Sequence, residues 1–126
     1  MASSRVTIDT APGLDGQVVL CLSGELDVSD ADAVRGALIA AVGLGPTVVV
    51  DLSELSFIDV AGMRALRDAH DAALSRGSCL LLAAPPRCVR TLATLMELGR
   101  LPFYESGPTL NGEMASPTGS VPEPLG

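Results

Sequence analysis

This chain of 126 residues has no lysine and no tryptophan, and its only aromatic residues are Phe57, Phe103 and Tyr104. Each shortage excludes something. All eight cationic residues are arginine, set against fifteen carboxylates, and the net charge is −7. That balance argues against nucleic acid as a direct ligand, because phosphate contacts need a basic face. It argues equally against an anionic membrane surface. With so few rings, the core must be Val, Leu, Ile and Ala, which favours close helix-on-sheet packing over large ring-lined pockets. No apolar run approaches the ~18–20 residues that span a bilayer. The N-terminal MASSRVTID has no apolar stretch of the signal-peptide kind. The expected location is therefore cytoplasmic. Cys21, Cys79 and Cys88 are an odd number in such a compartment and are expected to be free thiols.

Catalytic machinery is missing as well. There is no Gly-rich phosphate loop of the Walker or dinucleotide type and no Gly-x-Ser-x-Gly elbow. The paired acids and the lysine of a receiver domain are absent. His70 is the single histidine, with no cysteine or second histidine at ligand spacing, so no metal is expected and a surface helix position is. Cys21 and Cys79 read as small core residues on strands. Cys88, close to Arg87 and Arg90, is the candidate for a redox-active thiol. The chain is expected to be a non-enzyme with no cofactor.

What is present is a regular alternation of elements on a one-domain length. Residues 5–9 alternate as an edge strand, and Pro12, Gly13, Asp15 and Gly16 supply a turn. Residues 17–23 form a second strand, followed by Gly24-Glu25-Leu26-Asp27. Ser29, with Asp32 three residues on, is expected to open a helix, whose apolar stripe is Val34, Leu38, Ala41 and Val42. Val48–Val50 is a buried strand that Asp51 and Ser53 end, with Phe57 and Ile58 dipping back into the core. Asp59 is placed to cap a helix over residues 60–75. Residues 79–83 make a strand, Pro85-Pro86 opens a third helix that Gly99 stops, and residues 101–104 make a last short strand. The order β-β-α-β-α-β-α-β predicts an α/β fold: a single layer of mixed β-sheet with helices packed on it and right-handed crossovers. Residues 1–105 form this domain. Residues 106–126, rich in Pro and Gly without apolar period, are expected to be a disordered tail.

The run TVVVDLSELSFIDVAGMRAL, residues 47–66, resembles the signature of the STAS domain of bacterial anti-sigma factor antagonists. Gly24-Glu25-Leu26-Asp27 adds to the resemblance, which covers about residues 6–104. In that family the signature helix usually opens Asp-Ser-Ser/Thr-Gly, and the first serine is phosphorylated by the partner kinase. Asp59 and Gly62 match, while Val60 and Ala61 stand at the hydroxyl positions, so the resemblance implies a STAS fold without the usual phosphoacceptor. It implies a partner-binding surface of Asp27, Ser29, Asp59, Val60, Ala61, Gly62 and Met63, with Asp27 and Asp59 as an acidic patch flanking Val60. Gly62 would leave backbone bare for another molecule, and Met63, if outward, would be an adaptable apolar contact. The implied partner is an anti-sigma factor, a serine-kinase-like ATPase, whose capture promotes sigma-dependent transcription. The implied form is a monomer or weak homodimer. Two other roles fit the family: a scaffold subunit of a sensory assembly, and a module binding a nucleotide or lipid.

Overall fold

A computed structural model describes residues 5–13, 16–99 and 101–104. The proposed tail at 106–126 lies outside the described residues. The elements are β1 (Val6–Pro12), β2 (Val18–Leu26), α1 (Val28–Val42), β3 (Thr47–Ile58), α2 (Val60–Ser75), β4 (Cys79–Ala83), α3 (Arg87–Leu95) and β5 (Phe103–Tyr104). The sheet runs β1-β2-β3-β4-β5, with β1 antiparallel to β2 and every other pair parallel. The α/β class and the element order agree with the sequence reading.

Alternation along the strands sorts side chains to two faces. Leu20, Leu22, Val48, Val50, Leu80 and Leu82 meet Val34 and Leu38 of α1, Met63 and Leu66 of α2 and Val89 of α3 in one core. Among the described residues, none that is polar or charged is buried.

Two strands run further than their sequences suggest. β2 continues through Gly24-Glu25-Leu26, beyond the expected end at residue 23, and β3 continues to Ile58 past Asp51 and Ser53. Both depend on bulges. The β2–β3 register slips once between Cys21 and Ser23 and again between Gly24 and Glu25. Each slip inserts a β3 residue and breaks the period of two. Leu52, Leu55 and Ile58 therefore face inward at a spacing of three, while Phe57, expected in the core, is turned out to solvent. Gly24 makes the β2 irregularity possible. Its φ is +94°, and a Cβ there would lie 2.1 Å from the Arg5 carbonyl oxygen. That oxygen accepts from Glu25 N at 3.0 Å, so β1 begins against the end of β2.

Other expectations are corrected at side-chain level. The first strand is Val6–Pro12, longer than residues 5–9. Cys79 is exposed and Cys21 half-buried, because both lie on the sheet face without helices. His70 is half-buried rather than at the surface, with Nδ1 inside and unpartnered. The thiols are all free, so reductant should leave the melting curve unchanged. A melting temperature lowered by reductant would reveal a bond between chains.

Candidate functional site

The carboxyl ends of β2 and β3 and the N-termini of α1 and α2 meet at one end of the sheet. Chain direction dictates this: each parallel strand delivers the chain to the same edge before the crossover helix begins. Asp59 ties the two halves together. Its backbone N–H donates to Leu26 O at 3.1 Å. One carboxylate oxygen accepts from Gly62 N at 2.9 Å, capping α2, and the other accepts from Val28 N at 2.9 Å, in the first turn of α1. Asp27 is the N-cap of α1 and accepts from Ser29 N at 3.0 Å. The cap is thus Asp27, not Ser29. The cause is that β2 runs to Leu26 and hands the chain directly into the helix. Two helix N-termini side by side would otherwise present unpaired N–H groups and positive dipole ends, and the two aspartates answer both.

Arg5, Glu25, Asp27, Val28, Phe57 and Asp59 line a shallow groove at this edge. Arg5 Nη1 donates to Glu25 Oε1 at 3.0 Å, and Arg5 N to Asp30 Oδ2 at 3.3 Å. The Arg5–Glu25 pair is largely exposed, so it contributes only about 0–1 kcal/mol. Three apolar side chains stand in solvent here: Val28 at 72% exposure, Phe57 at 47% and Val60 at 41%. The surface therefore has apolar side chains and an acidic rim, and among the described residues that line the groove Arg5 is the one cation.

Asp27 and Asp59 do come together, through Val28. Ser29 and Val60 are exposed and Ala61 is half-buried. Gly62 and Met63 are corrected. Gly62 is buried, and a Cβ there would lie 2.8 Å from Ile58 Cγ1, 2.8 Å from Leu26 Cγ and 3.0 Å from Leu26 O. The missing side chain serves α2's approach to the end of β2, not access by another molecule. Met63 is fully buried in the core, because the first turn of α2 turns that position to the sheet. Val28 and Phe57 are the residues that sequence reasoning missed. Val28, apolar between two capping residues, offered a local signal. Phe57 offered none, since only the bulges expose it.

Away from this edge, Arg35 joins the helices across their outer side, donating to Asp68 at 3.0 Å and pairing with Asp32. These carboxylates raise the Arg35 pKa, Asp32 foremost. Cys88 is half-buried against the core, and its neighbour Arg90 donates from Nε to Pro85 O. Among the described residues no group of His, Cys, Asp and Glu is arranged to hold a metal ion, and no helix is long and apolar enough to cross a membrane.

Fold and site together define a small α/β module with exposed apolar side chains and carboxylates gathered at one end of a largely parallel sheet. The chain belongs to the STAS family: the family described as "Mlab, STAS domain" matches residues 10–103. Among solved structures it is similar to an anti-sigma factor antagonist from Mycobacterium paratuberculosis, at 29% identity and a TM-score of 0.70, over 84% of this chain and 88% of that one. A putative anti-sigma factor antagonist from Thermotoga maritima matches at 20% identity and a TM-score of 0.70, over 79% and 86% of the two chains. A sulfate transporter family protein from Wolinella succinogenes has the same fold, at 19% identity and a TM-score of 0.62, over 76% and 82%. No curated protein matches the sequence.

Proposed function

We propose that this protein is an anti-sigma factor antagonist that captures a kinase-like anti-sigma factor at the β2–β3 edge and so releases a sigma factor for transcription. The observation that carries this reading is the trio Val28, Phe57 and Val60, exposed beside Glu25, Asp27 and Asp59 at the edge that holds the STAS signature. Exposed apolar side chains within a polar rim are how a protein interface is built. The acidic rim suits a partner face carrying arginine or lysine. The role is binding without catalysis, in the cytoplasm.

Val60 has no hydroxyl, so phosphorylation at this position cannot switch the protein off. Release of the partner is then governed by the amounts of the two proteins or by another input. Purification of partners from native cytosol with the full chain as bait, followed by calorimetry with the purified partner, tests the reading. Tight one-to-one binding of a kinase-like ATPase is expected. A partner set without any such protein overturns it.

A further inference from the structure

Among the described residues β1 is a side strand of the sheet, seven residues long with β2 as its one neighbour, while β5 at the opposite side has two residues. Two bonds fix which backbone groups β1 has left over. Glu25 N donates to Arg5 O at 3.0 Å and Gly13 N to Gln17 O at 2.9 Å, one at each end of the strand. Both continue the register that runs unbroken from Val6↔Gly24 to Pro12↔Val18. In an antiparallel ladder bonded pairs alternate with unbonded ones. Thr7, Asp9 and Ala11 therefore bond to β2, and Ile8, Thr10 and Pro12 turn their backbone groups away from it. Pro12 has no N–H to donate, and it stands where a strand tolerates proline. Side chains alternate too: Ile8, Thr10 and Pro12 lie on the helix side of the sheet, Asp9 and Ala11 on the other. Ile8 is half-buried against the core, and Thr10 and Pro12 are exposed.

An open strand side is a template for another strand. We propose that this one pairs with β1 of a second copy, antiparallel across a two-fold axis at Thr10, the middle of the three outward positions. Such an axis makes the contact self-complementary, so the strand must suit itself. At Thr10 it does. Thr10 meets Thr10 of the second copy, Ile8 meets Pro12, and Asp9 meets Ala11: a hydroxyl pair, an apolar pair and a carboxylate opposite a methyl. An axis at Asp9 would set two carboxylates directly opposite each other, which is destabilising. An extended segment of another protein would use the same backbone groups, but the two-fold match is written in this strand's own residues. Pro12 can only accept, so the pairing makes about four backbone hydrogen bonds. A typical interface has roughly ten, so the dimer is weak and reversible. The groove lined by Arg5 lies where β1 begins. Antiparallel pairing puts the two grooves at opposite ends of the dimer and leaves both open. The dimer does not depend on the proposed function.

The test is Thr10→Pro in the full chain. The N–H it removes is one that β2 does not use, so the fold should survive, while the donor at the axis is lost. Sedimentation equilibrium is run from micromolar to millimolar protein in physiological salt, because −7 on each copy opposes association when unscreened. Wild type should pass reversibly from monomer to dimer. Thr10→Pro should associate at least about tenfold more weakly, and Thr10→Val, which keeps the N–H, much as wild type does. A wild type that stays monomeric at millimolar concentration overturns the dimer, as does a Thr10→Pro protein that pairs equally well. Should Thr10→Pro fail to fold, amide exchange on the wild type decides. The Ile8 and Thr10 amides should exchange more slowly as concentration rises, with Asp9 and Ala11 slow throughout. Exchange at Thr10 that ignores concentration overturns the proposal. So does slowing that appears only when the anti-sigma partner is added, which would assign this strand to that partner.

Discussion

Val60→Glu should leave this protein folded and cost it at least about tenfold in affinity for its anti-sigma partner, a change of ~1.4 kcal/mol or more. The first half follows from position. Val60 opens α2 and is 41% exposed, so a longer charged side chain meets solvent and not the core. A negative charge in the first turn of a helix is mildly favourable, by about 0.3–1 kcal/mol at best. The second half follows from surroundings. The new carboxylate would stand next to Asp59, on the edge where Asp27 and Glu25 already line the groove. Closing an interface over it would desolvate an anion among the carboxylates of this edge, where Arg5 is already paired to Glu25. Calorimetry on the purified pair reads the affinity, and thermal unfolding reads the fold. A folded Val60→Glu protein that binds as well as wild type would remove this edge from the interface. Val60→Ser is the companion variant. It should bind normally and, with an active kinase and ATP, take up phosphate that the wild type does not. Phosphate on the wild-type chain, at Ser53 or Ser56 for instance, would overturn the idea that the switch is absent. Both serines are exposed, and the Ser56 hydroxyl donates to Gly24 O.

Much of this site was legible in the sequence because its causes are local. The cap of α2 by Asp59 needs only an aspartate ahead of an apolar period, and α2 spans residues 60–75 as read. Residues 79–83 form β4, as a short apolar run before two prolines suggests. What was not legible arises from pairing between distant strands. A reader of Asp51-Leu52-Ser53-Glu54 sees polar residues breaking a strand, whereas two bulges against β2 let the strand continue and choose which residues turn inward. Phe57 is the consequence: apolar in sequence, exposed in the fold, and now part of the candidate surface. Met63 is the reverse case. Whether a first-turn residue faces a partner or the core depends on how α2 rolls against the sheet, and Gly62 lets it roll close enough to bury Met63. The whole-chain signals of charge and composition bore on partner class only, since they carry no information about which end of the sheet collects the exposed apolar groups.

Asp59 was legible as one cap and acts as two contacts, and that difference sets the largest stability effect expected here. Asp59→Ala should destabilise the protein by about 2–3 kcal/mol. Loss of an N-cap typically costs ~1 kcal/mol, and a hydrogen bond to a charged group contributes ~1.5–3 kcal/mol. Here one carboxylate serves Gly62 N and Val28 N at once, both at 2.9 Å. Asp27→Ala is the internal standard. The Asp27 carboxylate accepts from Ser29 N alone of the two helix starts, so its loss should be near the single-cap value. Asp59→Asn should fall between wild type and Asp59→Ala. An amide offers one acceptor oxygen, so it can keep one of the two N–H groups while its NH₂ faces the other. Urea unfolding of the three variants against wild type measures the order: Asp59→Ala lowest, then Asp59→Asn. If Asp59→Ala proved no worse than Asp27→Ala, the bond to Val28 N would contribute nothing net, and α1 would be held at this edge by the core alone. The expected order means more than stability. The carboxylate that fixes Val28 also stands beside Val60, so the contact that joins the two helix starts also sets the spacing of the exposed apolar groups a partner would meet.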